Sequence, residues 1–316
     1  MATEVKFGIG LPNGFPHGEV NPALCLEVAE RAEEYGYDSV WAGDHIIFHI
    51  PRLEIFTTLA AVAARTRRVQ LGPAVLLLCL RNPVHVAQSV ATLDHLSGGR
   101  LILGVGVGGE HPKEFLVSGV PVNQRGPRTD EALEVLRRVW TEPAVTFSGK
   151  YYRFEEITLL PAPLQQPHPP VWVGGRSEAA LRRTARVGQA WAPAFVTPEK
   201  FQEGRERLAA LCRESGRDPR TVQSTLYFFA NVSSSREQAW AEAGAFLSKN
   251  YNMPAAPFAR LAVYGTPAEC VAHTRRYIDA GAEHLIMRFA SFDPLQQLER
   301  WTKEVLPALR DGAHAA

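Results

Sequence analysis

The chain has 316 residues, with 34 Lys and Arg against 33 Asp and Glu, a formal charge of +1 at neutral pH. That balance argues against a nucleic-acid or anionic-membrane binder, which needs a concentrated positive field, and no apolar run reaches the roughly 18 residues of a membrane span. The four cysteines, Cys25, Cys79, Cys212 and Cys270, form neither a CxxC pair nor a zinc-type spacing, and they point to buried thiols in a reducing compartment.

The start of the chain has no basic segment followed by an apolar one and runs straight into a strand at residues 5–11, so a cytoplasmic protein is expected. A helix follows over 21–35, with Asn21 as its cap, Pro22 in the first turn and Gly36 as its stop. Residues 39–42 read as a second strand and 56–65 as a helix. Residues 69–78 form a continuous apolar strand and 83–96 the next helix. A fourth strand is expected over 101–107 and a helix over 130–140. The stretch 144–170, FSGKYYRFEEITLLPAPLQQPHPP at its heart, reads as a hairpin and a proline-rich connection inserted before strand five. Strands at 171–173, 190–193, 222–231 and 285–289 alternate with helices at 178–187, 198–215, 235–248, 266–280 and 294–309.

Fully apolar strands suit a parallel sheet covered on both faces. Eight strand–helix units in one domain predict a closed (β/α)8 TIM barrel, α/β in class, with the insertion before strand five. In such barrels the site lies at the C-terminal mouth of the strands, where this chain collects Pro12-Asn13-Gly14, Gly43-Asp44-His45, Gly108-Gly109-Glu110-His111 and Gly174-Gly175-Arg176-Ser177.

His45 is the only histidine directly at the end of a strand, where it can hold or pass a proton near neutral pH. The plainer reading is that Asp44-His45 opens the next helix. The glycine run at 104–110, GVGVGGE, fails as a dinucleotide fingerprint because its glycines begin inside strand four. Small residues there let a flat ring lie against the backbone, or else serve tight barrel packing. VGGRSEAALRR at 173–183 ends a strand, turns on two glycines and starts a helix that Ser177 can cap; with Arg176 it reads as an anion grip, or as an ordinary capped helix. Arg125 and Arg128, where the next helix begins, could meet an acidic ligand tail or pair on the surface. No HxH or HExxH motif is present, which disfavours a metal-dependent barrel hydrolase.

Nearly the whole chain resembles the luciferase-like monooxygenase superfamily and, within it, the coenzyme F420-dependent oxidoreductases. The resemblance rests on FGIGLPNG at 7–14, AERAEEYGYDSVWAGDHI at 29–46, VATLDHLSGGRLILGVGVG at 90–108, PPVWVGGRSEAALRRTARVGQAW at 169–191 and GTPAECVAHTRRYIDAGAEHLIMRF at 265–289. It implies hydride transfer between F420 and a small organic substrate, with His45 as the catalytic proton carrier and Asp44 beside the ring. It implies a non-prolyl cis peptide at Ala74–Val75, in a bulge that runs on to Leu76 and backs the ring. Val107 and Gly108 would line the ring, and Gly174, Gly175, Arg176 and Ser177 would hold a phosphate. Glu110 stands one residue later than the proton-donor acid of some relatives and is the candidate for that role. Lysines and an arginine with which relatives grip sugar phosphates have no counterparts here. The alternatives are an FMN-dependent monooxygenase using O2 and a non-catalytic flavin-binding protein. A homodimer packed through the alanine-rich second and third helices is expected, with pocket-shaping roles for 144–170 and 250–263.

Overall fold

The computed structural model describes residues 4–109 and 111–311. The strands are β1 (Lys6–Gly10), β2 (Ser39–Ala42), β3 (Gln70–Pro73), β4 (Leu76–Leu77), β5 (Leu103–Gly106), β6 (Val145–Ser148), β7 (Arg153–Ile157), β8 (Val171–Gly174), β9 (Ala190–Ala192), β10 (Gln223–Val232), β11 (Val263–Gly265) and β12 (His284–Phe289). The helices are α1 (Pro22–Glu34), α2 (Ile55–Arg65), α3 (Pro83–Ser97), α4 (Pro112–Val117), α5 (Arg125–Thr141), α6 (Glu178–Val187), α7 (Pro198–Glu214), α8 (Arg236–Tyr251), α9 (Pro267–Asp279), α10 (Pro294–Glu304) and α11 (Leu306–Asp311).

Parallel pairing runs β3-β2-β1-β12-β10-β9-β8-β5-β4. The two ends of that path are the halves of a single interrupted strand, and a bridge between Leu71 and Leu101 helps close the circle. The result is the expected barrel. Every residue of β2, β5 and β8 is buried, as a parallel sheet under a full coat of helices requires. Local signals set the helix ends. Asn21 Oδ1 accepts from Leu24 N at 3.2 Å to start α1, and Gly98, at φ 67°, stops α3 in the left-handed region that glycine enters without penalty.

Three features depart from the sequence reading. The third strand is not continuous: between β3 and β4 it breaks at a cis Ala74–Val75 peptide, the bond that the resemblance implied. The segment 250–263, where no strand was expected, runs into β11, which pairs with β10 beyond the eight barrel positions. A short helix, α4, follows β5 where no element was expected. The insertion does form an antiparallel hairpin, β6–β7. It packs on the outside of α5, where Glu131 accepts from the backbone N–H groups of Lys150, Tyr151 and Tyr152, and it contributes nothing to the cavity described below.

All four cysteines are free and buried. Burial pushes the Cys25 and Cys270 thiols up to about 12, so neither is a thiolate near neutral pH. Among the described residues no helix is long and apolar enough to cross a membrane.

Candidate active site

The C-terminal mouth of the barrel opens into a cavity of about 470 Å³. Its floor is a stacked pair, Trp41 from β2 and Trp172 from β8, with ring centroids 4.7 Å apart. Beneath them His284 meets Trp172 edge-on and shares Ser39 Oγ with Trp41, through contacts of 2.7 Å to each. Burial drives the His284 imidazole down to about 3, so it is neutral and structural.

One wall is backbone and small side chains. Pro73, Ala74 and Val75 of the bulge line it, continued by Gly106, Val107 and Gly174. The glycines are fixed by the bulge itself. A Cβ on Gly104 would stand 2.1 Å from the Pro73 carbonyl oxygen, and one on Gly106 would stand 2.3 Å from a Val75 methyl. The tight-packing reading of the glycine run therefore holds, and that packing leaves a smooth surface along the cavity. Gly108 and Leu77 extend this wall, whereas Leu76 is fully buried, pairs with Val105 and backs the wall without lining it.

The end of the cavity at β8 is a helix N-terminus with an arginine beside it. Gly174, Gly175, Arg176 and Ser177 all line it. Ser177 caps α6 by accepting from Ala180 N at 3.3 Å, which leaves the first-turn N–H groups of Glu178 and Ala179 without intrahelical acceptors. Arg176 is held by the Phe195 carbonyl at 3.1 Å, and Arg125, at the start of α5, lines the same cavity. Arg128 is not part of it; its guanidinium packs over the Tyr151 ring.

His45 lines the cavity at the opposite edge. Its Nδ1 lies 3.0 Å from Glu114 Oε2, and its ring stacks on Phe48 with centroids 4.0 Å apart. Glu114, on α4, is completely buried, and its Oε1 accepts from Ile46 N at 2.6 Å. Burial raises this carboxyl, but the hydrogen bonds from His45 and from the Ile46 and Ile47 N–H groups outweigh that and hold it below the usual glutamate range. An ionised Glu114 fixes the proton of a neutral His45 on Nδ1 and leaves Nε2 as the basic atom. The expected proton donor Glu110 lies outside the described residues. The acid that meets the histidine is Glu114, four residues further on. Its sequence signal was HPKEF, an acid in the first turn of a short proline-started helix, next to a buried phenylalanine.

Asp44 also reaches the cavity, but its carboxylate is committed elsewhere. It accepts from Leu77 N at 2.9 Å and from both Nη atoms of Arg81, at 2.7 and 2.9 Å. Asp44 thus ties β2 to the strand half that follows the bulge. The opposite wall, from β10, β12 and the loop between β2 and α2, carries residues that sequence reasoning left out: Tyr227, Arg288 and Arg52. Arg288 was visible as a lone charge within the apolar last strand.

Comparison with known proteins places this geometry. The family model described as luciferase-like monooxygenase matches residues 5–284. An F420-dependent glucose-6-phosphate dehydrogenase of Amycolatopsis mediterranei is 32% identical, over 92% of this chain and 96% of that protein. An F420-dependent secondary alcohol dehydrogenase, solved with an F420–acetone adduct, superposes with a TM-score of 0.85 at 22% identity, over 98% of this chain and all of that one. A monooxygenase from Streptomyces bottropensis has a TM-score of 0.82 at 25% identity, over 96% of this chain and 99% of the other.

Proposed function

Because the chain belongs to the luciferase-like monooxygenase family, we propose that it is an F420-dependent oxidoreductase acting on a small organic molecule. The observation that carries this reading is the cavity itself. It combines the smooth bulge wall, an anion-ready helix terminus and a carboxylate-backed histidine with 32% identity to an F420-dependent dehydrogenase. When bound, the deazaflavin supplies the hydride chemistry at its ring carbon 5.

The residues of the chain divide the remaining work. Ala74, Val75, Val107 and Gly108 would hold the ring, and Gly174, Gly175, Arg176 and Ser177 its phosphate, with Arg125 at the tail. Asp44 acts as a positioning residue, keeping the bulge in place through Leu77 and Arg81. His45 takes or gives at Nε2 the proton that accompanies the hydride, while Glu114 holds its other nitrogen. The tryptophan floor and the buried barrel exclude water from below. A homodimer in a reducing, cytoplasmic setting completes the proposal, and sedimentation velocity would test the assembly.

The alternative, an FMN-dependent monooxygenase, draws support for the monooxygenase activity, though not for the cofactor, from the 25% identical monooxygenase. Parallel titration with F420 and FMN separates the two, and because Trp41 and Trp172 form the floor, indole quenching reports either ligand directly. Tight binding of F420 alone supports the proposal, and preference for FMN overturns it.

A further inference from the structure

Two arginines face the half of the cavity that the ring wall leaves open, and among the described residues both lack the partners that other buried or half-buried arginines of this chain have. Arg183 is salt-bridged to Asp130 at 2.9 Å, and Arg81 to Asp44 at 2.7 Å. Arg100 donates to the carbonyls of Ala63, Thr66, Val69 and Ser97. Arg288 is 7% exposed, and among the described residues its guanidinium donates one hydrogen bond, to the Gly10 carbonyl at 3.3 Å. Arg52 reaches Asn13 Oδ1 only at 3.5 Å, and its Nε is buried with no partner. Each guanidinium carries five N–H donors. Among the described residues no carboxylate lies within ion-pair distance of either one.

This is a built site. A Cβ on Gly43 would lie 2.8 Å from Arg52 Nη1, and one on Gly14 would lie 2.9 Å from Nη2, so glycine at both positions makes room for that guanidinium. Phe48 lies beneath Arg52, its centroid 5.2 Å away, and Phe246 beneath Arg288 at 5.7 Å. The Tyr227 hydroxyl, from β10, faces the same space, close to the backbone of Gly10. Two neighbouring cations in a desolvated wall are costly unless an anion answers them. The carboxylates nearest the catalytic edge do not, since Asp44 is spent on Arg81 and Glu114 on His45.

We propose that Arg52 and Arg288, with Tyr227, form the substrate's anion subsite, so that the substrate is a small organic oxyanion of charge up to −2. A carboxylate or a phosphate monoester both present paired oxygens to a guanidinium fork, and that shared chemistry is what this wall recognises. The assignment rests on the cofactor reading above, because the cofactor occupies the opposite wall and leaves this one to the substrate. It needs none of the sugar-phosphate lysines that the chain lacks.

The test is calorimetric titration of inorganic phosphate and of succinate into the wild-type protein, alone and saturated with F420, and into Arg52→Gln and Arg288→Met. The expected result is saturable binding of at least one anion that survives F420 saturation and weakens by about tenfold or more in Arg52→Gln. F420 affinity should be unchanged in that variant. Tighter phosphate assigns a phosphate ester and tighter succinate a carboxylic acid. Arg52→Gln lies outside the barrel strands and keeps the test alive if Arg288→Met fails to fold. Anion binding that F420 displaces, that Arg52→Gln leaves intact, or that is absent from the wild type overturns the subsite. Failure of F420 to bind the wild type overturns the cofactor reading instead, and the anion titrations on the free protein still score the arginines.

Discussion

The contact between His45 and Glu114 makes the most exposed commitment in this structure, and Glu114→Gln tests it with almost no change of shape. The glutamine oxygen can still accept from Ile46 N, but a neutral hydrogen bond is worth about 1 kcal/mol against roughly 1.5–3 for one to a charged acceptor. Its amide nitrogen then faces His45 Nδ1, where a carboxylate now accepts at 3.0 Å. The imidazole must move its proton to Nε2, the atom that should stay basic. The two weakened bonds together destabilise the protein by about 2 kcal/mol near neutral pH. The sign with pH follows from the carboxyl being held below its ordinary value of 4.5. The unfolded chain binds that proton first, so the Glu114 contribution is full above about pH 4.5 and is lost as pH falls through the folded value. Urea midpoints should therefore separate wild type from variant at neutral pH and converge at acidic pH. Nitrogen-15 shifts of the His45 ring should change from a protonated Nδ1 to a protonated Nε2, and turnover should fall by at least the ~10²-fold typical of general base loss. A variant that keeps the Nδ1–H tautomer, or that matches wild-type stability at neutral pH, would refute the positioning role.

Gly106→Ala would press a methyl into Val75, and such overpacking costs about 1–3 kcal/mol; thermal unfolding should show the loss, and F420 affinity should fall because the ring wall shifts. Asp44→Asn releases Arg81 and weakens the hold on Leu77, so a loss of about 2–3 kcal/mol is expected by chemical denaturation, with F420 binding weakened and His45 chemistry otherwise intact. His284, neutral down to about 3, leaves the unfolded state binding one more proton between roughly pH 6.5 and 3. Stability should fall with pH there by up to ~1.4 kcal/mol per unit, and His284→Gln should flatten the slope in urea titrations at successive pH values.

The barrel was legible because its signals are local. Apolar strands, capping residues such as Asn21 and stops such as Gly98 each act within one element, and their order implies closure. The break in strand three was not, since an unbroken apolar run looks the same whether or not the backbone bulges; only the resemblance placed it at Ala74–Val75. The site was half legible for the same reason. Residues directly after a strand, such as His45 and Ser177, are positioned by chain order. Glu114 reaches His45 across 69 residues, and Arg52 and Arg288 meet across the mouth from either end of the chain, so their roles depend on tertiary packing that no spacing encodes.

The stretch DSVWAGDH shows how much one strand end can be asked to do. Ser39 and Trp41 face inward to build the floor with His284. Asp44 turns toward Arg81 and Leu77 to brace the ring wall, and His45 turns toward Glu114. Gly43 is not there for freedom to turn, since its backbone lies outside the left-handed region. Its N–H and carbonyl are both bonded to the Asn13 side chain, at 3.1 and 2.7 Å, and a side chain there would strike Arg52. Glycine is needed at this point for space, and the space is taken by a cation that no carboxylate among the described residues pairs with. The same short segment therefore sets the floor, the brace of the bulge, the His45–Glu114 contact and the gap that admits Arg52. A substitution at Gly43 should injure the substrate side of the cavity while sparing the cofactor side.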